Sequence, residues 1–373
     1  MKILSYQSFS LYDNGGGSRI LRRLYQGNES QVSSIAFTVY PSAPVNGDID
    51  EKIIPLRPLT RSWMRWILRD GVIWLRENVF KSRVNKNIWK TAAKIPFDVL
   101  HVVDHGPFST VLCNDSFLSG KSLWVSFHDH FLTTGGSFNN ANTLWNSADR
   151  RMVISNELGN EYNRLFGEKD FEIITDGVFI NEISEPVTTN GPVITIYFAG
   201  LLHIDYLPLF NVLANSLDIL AKEGLKIKLI LRGTQFVNFL DKRGFEIEYR
   251  PFSTDDDELK QELDSATILY LPIKFKPADF YLYSLSTKMI GYLGAPGSIL
   301  YHGPADAAVN NLLKKSMSAV GCYTLDTKDV LESLYEILNE DCKVSFNAKK
   351  LAKSHFNFQK IKEGFWGPNY LDS

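Results

Sequence analysis

The chain has 373 residues, 44% of them hydrophobic and 22% charged, with a net charge of −2 at pH 7. That length favours two domains, and the near-neutral charge removes any global argument for nucleic acid as a partner. Cys113, Cys322 and Cys342 are too few and too widely spaced for a disulfide framework or a metal-ligand set, which points to reduced thiols in a cytosolic protein.

The opening residues have no long apolar region and read as a first strand, not a signal peptide. No apolar run approaches the roughly 18 residues of a membrane span. In the first half, apolar runs predict strands at 2–5, 31–40, 99–103, 123–127, 151–155 and 172–174. Helical periodicity predicts helices at 18–26, 59–79, 107–114 and 158–166. A polar, non-periodic stretch at 182–191 reads as a linker. A second series then runs through 193–199, 208–222, 227–231, 236–242, 246–249, 255–263, 267–271, a helix from 287, 298–301, 305–315 and 326–338. The final twenty or so residues carry a helical pattern with Phe356, Phe358, Phe365 and Trp366. Strands alternating with helices predict an α/β protein with parallel sheets. The expected domains are 1–183 and 184–350, with 351–373 as a C-terminal helix packing back toward the first domain.

The most informative stretch is 284–297, Ser-Leu-Ser-Thr-Lys-Met-Ile-Gly-Tyr-Leu-Gly-Ala-Pro-Gly. It follows a buried-looking strand and opens a helix capped by Ser286 or Thr287 and stopped by Gly294 and Pro296. Lys288 falls in the first turn, where a cation opposes the helix dipole by a few tenths to about 1 kcal/mol. An anion bound there would reverse that sign, because N–H groups, hydroxyls and the ammonium would converge on it. Two readings stand: a phosphate cradle at the C-terminal end of a parallel strand, or an exposed helix start with a solvated lysine.

The order of segments resembles GT-B glycosyltransferases, closest to the retaining family 4. The resemblance rests on the glycine-rich loop Asp13-Asn14-Gly15-Gly16-Gly17-Ser18-Arg19 and on Phe97-Asp98-Val99-Leu100-His101. It rests also on Ser126-Phe127-His128-Asp129, on Ile174-Thr175-Asp176-Gly177-Val178, on Tyr197-Phe198-Ala199-Gly200 and on 284–295. It implies two doubly wound, Rossmann-like domains facing a cleft. The chain departs from the pattern at Ser286, where the family has Pro, and at Gly291, where it has a Glu that holds the donor ribose. His203 and Asp205 occupy the loop after Gly200 in place of a Lys or Arg.

On this resemblance, donor contacts fall on Gly16, Gly17, Arg19, Arg232, Gly233, Arg250, Phe252, Ser284, Ser286, Thr287 and Lys288. Arg232 could pair bidentately with a diphosphate or sit in a surface ion pair. Arg250 and Phe252 could flank the nucleotide base. His128 and Asp129 are the candidate catalytic pair, His128 bonding the donor sugar and Asp129 orienting it or acting as base. A purely structural His128 is the alternative, and His101 and His105 read as core or loop histidines. The glycine loop is not a dinucleotide fingerprint, since Ile20 stands where the last glycine belongs. Asp255-Asp256-Asp257 reads as a helix N-cap with an acidic first turn, not a metal motif.

Residues 56–92 are basic and aromatic, with Arg57, Arg61, Arg65, Arg69, Arg76, Lys81, Arg83, Lys86 and Lys90 among Trp63, Trp66, Trp74 and Trp89. This suits a segment lying on an anionic membrane, and Arg61, Arg65, Trp66 and Arg69 are the candidate acceptor or membrane contacts. The alternative is a basic helix whose apolar face packs in the core. Together these readings predict a metal-independent glycosyltransferase with no obligatory cofactor, using a nucleotide-diphosphate sugar as donor and a glycan or lipid-linked acceptor in cell-envelope polysaccharide synthesis. Its expected location is the cytoplasm, at the inner face of the plasma membrane, with no nucleic-acid partner. The rivals are a nucleotide-sugar epimerase of the same fold and a degenerate GT-B protein acting as a binding partner.

Overall fold

The computed structural model describes residues 1–38, 47–56, 69–186, 191–253, 255–339 and 343–367. It divides into two compact units, Met1–Thr175 and Asp176–Ser373. Each is built on one wholly parallel sheet.

The sheet of the first unit has seven strands: β1 Ile3–Gln7, β2 Val32–Thr38, β3 Asp50–Pro55, β4 Val99–Val103, β5 Ser122–Phe127, β6 Arg150–Val153 and β7 Glu172–Ile173. Their spatial order is β3-β2-β1-β4-β5-β6-β7. Strands β1 and β4 are buried along their whole length, as expected for parallel strands covered on both faces. The strand order reverses between β1 and β4, which makes the carboxyl ends of these two strands the switch point where open α/β sheets bind ligands. Helix Gly16–Tyr25 returns across the sheet with Ile20, Leu21, Leu24 and Tyr25 buried on one face.

The second unit has six strands: β8 Ile194–Ala199, β9 Ile227–Arg232, β10 Glu246–Arg250, β11 Ile268–Pro272, β12 Ser298–His302 and β13 Val320–Cys322. They lie in the order β10-β9-β8-β11-β12-β13. The switch point here falls between β8 and β11. One side of the sheet is filled by Phe198, Phe210, Leu213, Leu217 and Leu334, the other by Leu269, Leu271, Met289, Leu293 and Phe356. The C-terminal helices Lys343–His355 and Phe358–Trp366 belong to this unit. Between them the chain crosses its own start. Val178 donates to Phe356 O at 2.7 Å, and Phe358 donates to Val178 O at 3.0 Å. A Cβ on Gly177 would lie 2.7 Å from Phe356 O and 2.8 Å from Phe358 Cα.

Several expected elements differ. Residues 107–114 form turns, with three-residue bonds from Val111 to Phe108 O and from Cys113 to Thr110 O in place of a helix. The helix expected over 59–79 is described only from Arg69, as Arg69–Trp74 followed by a π-helical turn at Leu75–Val79. Arg61, Arg65 and Trp66 lie outside the described residues. Strand β3 was hidden by its charged edge sequence Asp50-Glu51-Lys52, typical of a sheet margin. Helix Phe138–Ser147 was hidden by four asparagines of low helix propensity, and starts because Ser137 accepts from Asn140 N–H. Asp255 accepts from the N–H groups of Asp257 and Glu258, which makes the acidic triplet the cap it was expected to be.

Candidate functional site

In the second unit, β8 ends at Ala199 and is followed by Gly200, whose φ of +131° suits glycine. The bare backbone there leaves room for Lys288. A Cβ at Gly200 would lie 2.6 Å from Lys288 Cε and 2.8 Å from Nζ. The ammonium stands 4.6 Å from the centre of the Phe198 ring. Burial pulls Lys288 down from its ordinary 10.5 to about 8. Among the described residues Lys288 makes no hydrogen bond or ion pair. Its helix, Thr287–Gly294, starts at Ser286 without a side-chain cap, so first-turn N–H groups remain open beside the ammonium. Ser284 is buried one turn earlier. The loop after Gly200 holds His203 and Asp205 as a pair at 3.2 Å. Lys274, just beyond β11, reaches Asp205 at 3.5 Å and so brings a cation that this loop itself lacks.

Arg232 corrects the sequence reading. Its guanidinium is buried, and four of its five N–H donors are engaged inside the unit. Nε donates to Glu262 Oε2 at 3.0 Å, Nη1 to Pro251 O at 2.6 Å and Nη2 to Glu258 Oε1 at 2.8 Å, with a further bond to Glu262 Oε1. With two carboxylates already on it, Arg232 has no free face for a diphosphate. Arg250 joins the same cluster through Glu248 at 2.6 Å and Glu262 at 2.7 Å. Tyr197 Oη donates to Glu262 Oε2 at 2.9 Å. Glu262, unnoticed in the sequence, is therefore the hub. What the cluster does is shape the neighbouring loops. Gly233 (φ +70°) donates to Arg250 O at 2.8 Å. A Cβ on it would sit 3.6 Å from the Phe252 ring, which is 59% exposed.

In the first unit, the glycine loop and His128 come together. Gly17 lies where a Cβ would be 2.8 Å from the Phe9 ring and 3.4 Å from His128 Nδ1. His128 follows β5 and is buried, and its Nδ1 has no hydrogen-bond partner among the described residues. Burial first, then the neighbouring His105, lowers its pKa to about 4, so the ring is neutral at physiological pH. Asp129 is half-buried, and His130 packs against Phe131 and Tyr162. Gly16 and Arg19 lie exposed in the first turn of helix Gly16–Tyr25. No three His, Cys, Asp or Glu among the described residues converge as a metal site.

Beneath this site runs a hydrogen-bond chain across five strands. Ser126 Oγ lies 2.7 Å from His101 Nε2, and His101 Nδ1 lies 2.6 Å from Tyr25 Oη. Tyr25 donates to Ser5 at 2.9 Å, Ser5 to Gln7 Oε1 at 2.8 Å, Gln7 Nε2 to Ser34 at 2.7 Å and Ser34 to Glu51 Oε1 at 3.0 Å. Because Tyr25 donates onward, His101 must donate from Nδ1 and accept from Ser126 at Nε2. A neutral ring fits: burial pushes His101 down to about 3. His101 is thus a core histidine.

Residues 69–92 divide their surfaces. Val72, Val84, Ile88 and Ala92 are buried, as a core-packing helix requires. Trp74 and Val79 are more than half exposed, and Lys81, Arg83, Lys86 and Lys90 are exposed with them. Arg69 opens the first of these helices. Among the described residues no helix is long and apolar enough to cross a membrane.

No protein-family model matches the chain, and no curated protein matches it in sequence. Solved structures do match in fold. The HepE protein of Anabaena in complex with UDP is 12% identical, with a TM-score of 0.66 over 98% of both chains. A UDP-forming α,α-trehalose-phosphate synthase from Burkholderia xenovorans, in complex with glucose-6-phosphate, is 13% identical with a TM-score of 0.66, over 98% of this chain and 99% of that one. A trehalose-6-phosphate structure from E. coli, bound with UDP-2-fluoro glucose, is 12% identical with a TM-score of 0.63 over 98% of both. The likeness establishes the GT-B fold, two Rossmann-like parallel-sheet domains.

Proposed function

We propose that this chain is a glycosyltransferase, similar to retaining family 4, that moves a sugar from a nucleotide-diphosphate donor to a glycan or lipid-linked acceptor in cell-envelope polysaccharide synthesis. Lys288 carries the reading: a half-buried ammonium with no anionic partner among the described residues, beside open helix N–H groups at the switch point of the second sheet. Burying an unpaired charge is costly, and an anionic ligand offsets that cost. In this role Lys288 and the helix start stabilise charge on the leaving diphosphate and do the work assigned to a metal elsewhere. Ser284, Ser286 and Thr287 complete the cradle, and Phe252 with Gly233 offers a face and a close backbone approach to the base. In the first unit, Gly16, Gly17 and Arg19 serve the donor and acceptor, neutral His128 bonds a sugar hydroxyl through Nδ1, and Asp129 orients the sugar. Exposed Trp74 and Val79 among four exposed cations support peripheral contact with an anionic membrane on the cytoplasmic side.

The test is calorimetry of the purified protein against UDP-, GDP-, TDP- and CMP-sugars, alongside Lys288→Ala. A preference that vanishes in the variant is the expected result. A flat response in the unmutated protein would move the assignment to a partner-binding protein of the same fold. Epimerisation of a free nucleotide sugar without acceptor would make it an epimerase.

A further inference from the structure

The loop 8–17 covers both histidines at the switch point of the first sheet. Ser8 Oγ lies 2.6 Å from His105 Nδ1, the Phe9 ring stands edge-on to His105 at 5.9 Å, and Gly17 closes on Phe9 and His128. The loop is held by its own bonds and by one residue from β3. Ser10 is its node: its carbonyl accepts from Ser18 Oγ at 2.7 Å and its N–H donates to Asp13 at 3.0 Å. Ser10 Oγ in turn donates to Glu51 Oε2 at 2.5 Å, and Leu11 N–H donates to Glu51 Oε1 at 2.8 Å. Glu51 sits on β3, far along the chain and outside every motif of the sequence. The same carboxylate ends the chain that starts at Ser126, two residues before His128.

We propose that Glu51 is a positioning residue for the His128 site, clamping the glycine-rich loop over the imidazole while terminating the hydrogen-bond chain beneath it. Only a carboxylate suits the position. Three donors, Ser10 O–H, Leu11 N–H and Ser34 O–H, converge on two oxygens, and every link of the chain points toward Glu51. An amide there would turn an N–H₂ against one of these donors. Charge-assisted bonds of this kind are about twice as strong as neutral ones, and a head-to-tail chain polarises toward its anionic end. The consequence concerns the His128 side of the loop, because Gly17 lies where an added Cβ would be 3.4 Å from His128 Nδ1. That His128 serves a sugar rests on the proposed function; that Glu51 sets its environment does not.

The test is Glu51→Gln and Glu51→Asp, read by amide hydrogen exchange and by NMR titration of His128, assigned with His128→Ala. In Glu51→Gln, exchange in 8–17 should rise about tenfold or more, as expected for loss of charged hydrogen bonds. The His128 midpoint should climb from about 4 toward the ordinary 6.5 as water reaches the ring. Glu51→Asp should recover part of both. Unchanged loop exchange and an unchanged His128 titration in Glu51→Gln would overturn the proposal, as would a uniform loss of protection with no change at His128. Should Glu51→Gln fail to fold, Ser10→Ala removes one loop bond and must give the same two changes in smaller degree, or the proposal fails. Both readouts are taken without ligand, so a protein that binds no nucleotide sugar would sink the glycosyltransferase reading and leave this one standing.

Discussion

The two sheets present opposite chemistry at equivalent places. At the switch point of the first, two imidazoles are held uncharged by burial among hydroxyls, an amide and backbone glycines, with buried Asp104 just past β4, half-buried Asp129 beside His128, and Glu51 at the far end of a chain. At the switch point of the second, the groups are ionic, in two kinds. Arg232, Arg250, Glu258 and Glu262 satisfy one another. Lys288 has only the face of the Phe198 ring, with no hydrogen bond or ion pair among the described residues. The same Rossmann-like frame therefore carries neutral imidazoles at one edge and an ammonium without an ionic partner among the described residues at the other. The lesson lies in the contrast within the second unit, where four charges pair with one another, Arg232 and Glu262 buried, Arg250 half-buried and Glu258 exposed, while the Lys288 ammonium has no ionic partner among the described residues.

The largest effect should come from the paired charges. Glu262→Ala strands two guanidinium groups and Tyr197, and should destabilise the second unit by about 3–5 kcal/mol in urea unfolding. A loss below about 1 kcal/mol would erase the distinction between structural and functional charge. Lys288→Met should go the other way in the unliganded protein, raising stability by about 1 kcal/mol because a half-buried charge with no ionic partner among the described residues is removed. It should weaken donor binding about 100-fold in the same calorimetric series. In the unmutated protein, stability should also rise with pH between about 8 and 10.5, where the unfolded chain binds the proton that native Lys288 has lost. Lys288→Met should abolish that rise.

Acid should strike the first unit harder. His101, His128 and His302 have folded pKa values of about 3, 4 and 4, below the ordinary 6.5. Their stabilisation is present above 6.5 and is lost as the pH falls, because the unfolded chain takes up protons first. Each adds about 1.4 kcal/mol per pH unit within its window. Two of the three belong to the first unit, so hydrogen exchange at pH 5 should open β4 and β5 before β11 and β12. The reverse order would contradict the assignment of neutral chemistry to the first sheet. His128→Ala should weaken binding of a nucleotide sugar about tenfold while leaving the bare nucleotide diphosphate unaffected, the scale of one hydrogen bond. The smallest change is a gain. A Cβ on Gly291 would meet nothing within 4 Å. Gly291→Glu should therefore fit, stabilise its helix by about 0.5–1 kcal/mol and tighten donor binding several-fold if a carboxylate there reaches the ribose.

The architecture was legible because buried parallel strands write themselves as short apolar runs, and β4, β8 and β12 fall within a residue of where the pattern places them. The place of Lys288 in a helix first turn was legible because a lysine there breaks a local rule and so stands out; its approach to Gly200 was not. Arg232 was not. An arginine ending a strand reads the same whether its partner is a ligand or a glutamate thirty positions later. Glu262 and Glu51 were hidden for a related reason: one lies in an acidic helix and the other in a charged edge strand, where carboxylates are expected to face water. Long-range pairing decided all three, and periodicity carries no information about that.

The crossing at Gly177 has a consequence for how the protein is made. Val178 pairs with Phe356 and Phe358 through two backbone bonds, at a point where no side chain fits on the preceding residue. These partners are separated by about 180 residues, so at roughly 5–20 residues per second the opening segment of the second unit waits on the order of ten seconds or more for its mate to leave the ribosome. The first sheet is complete before that wait begins. The nascent chain thus carries a finished domain followed by an unsealed one, and the second unit closes only when nearly the last of its helices has been translated.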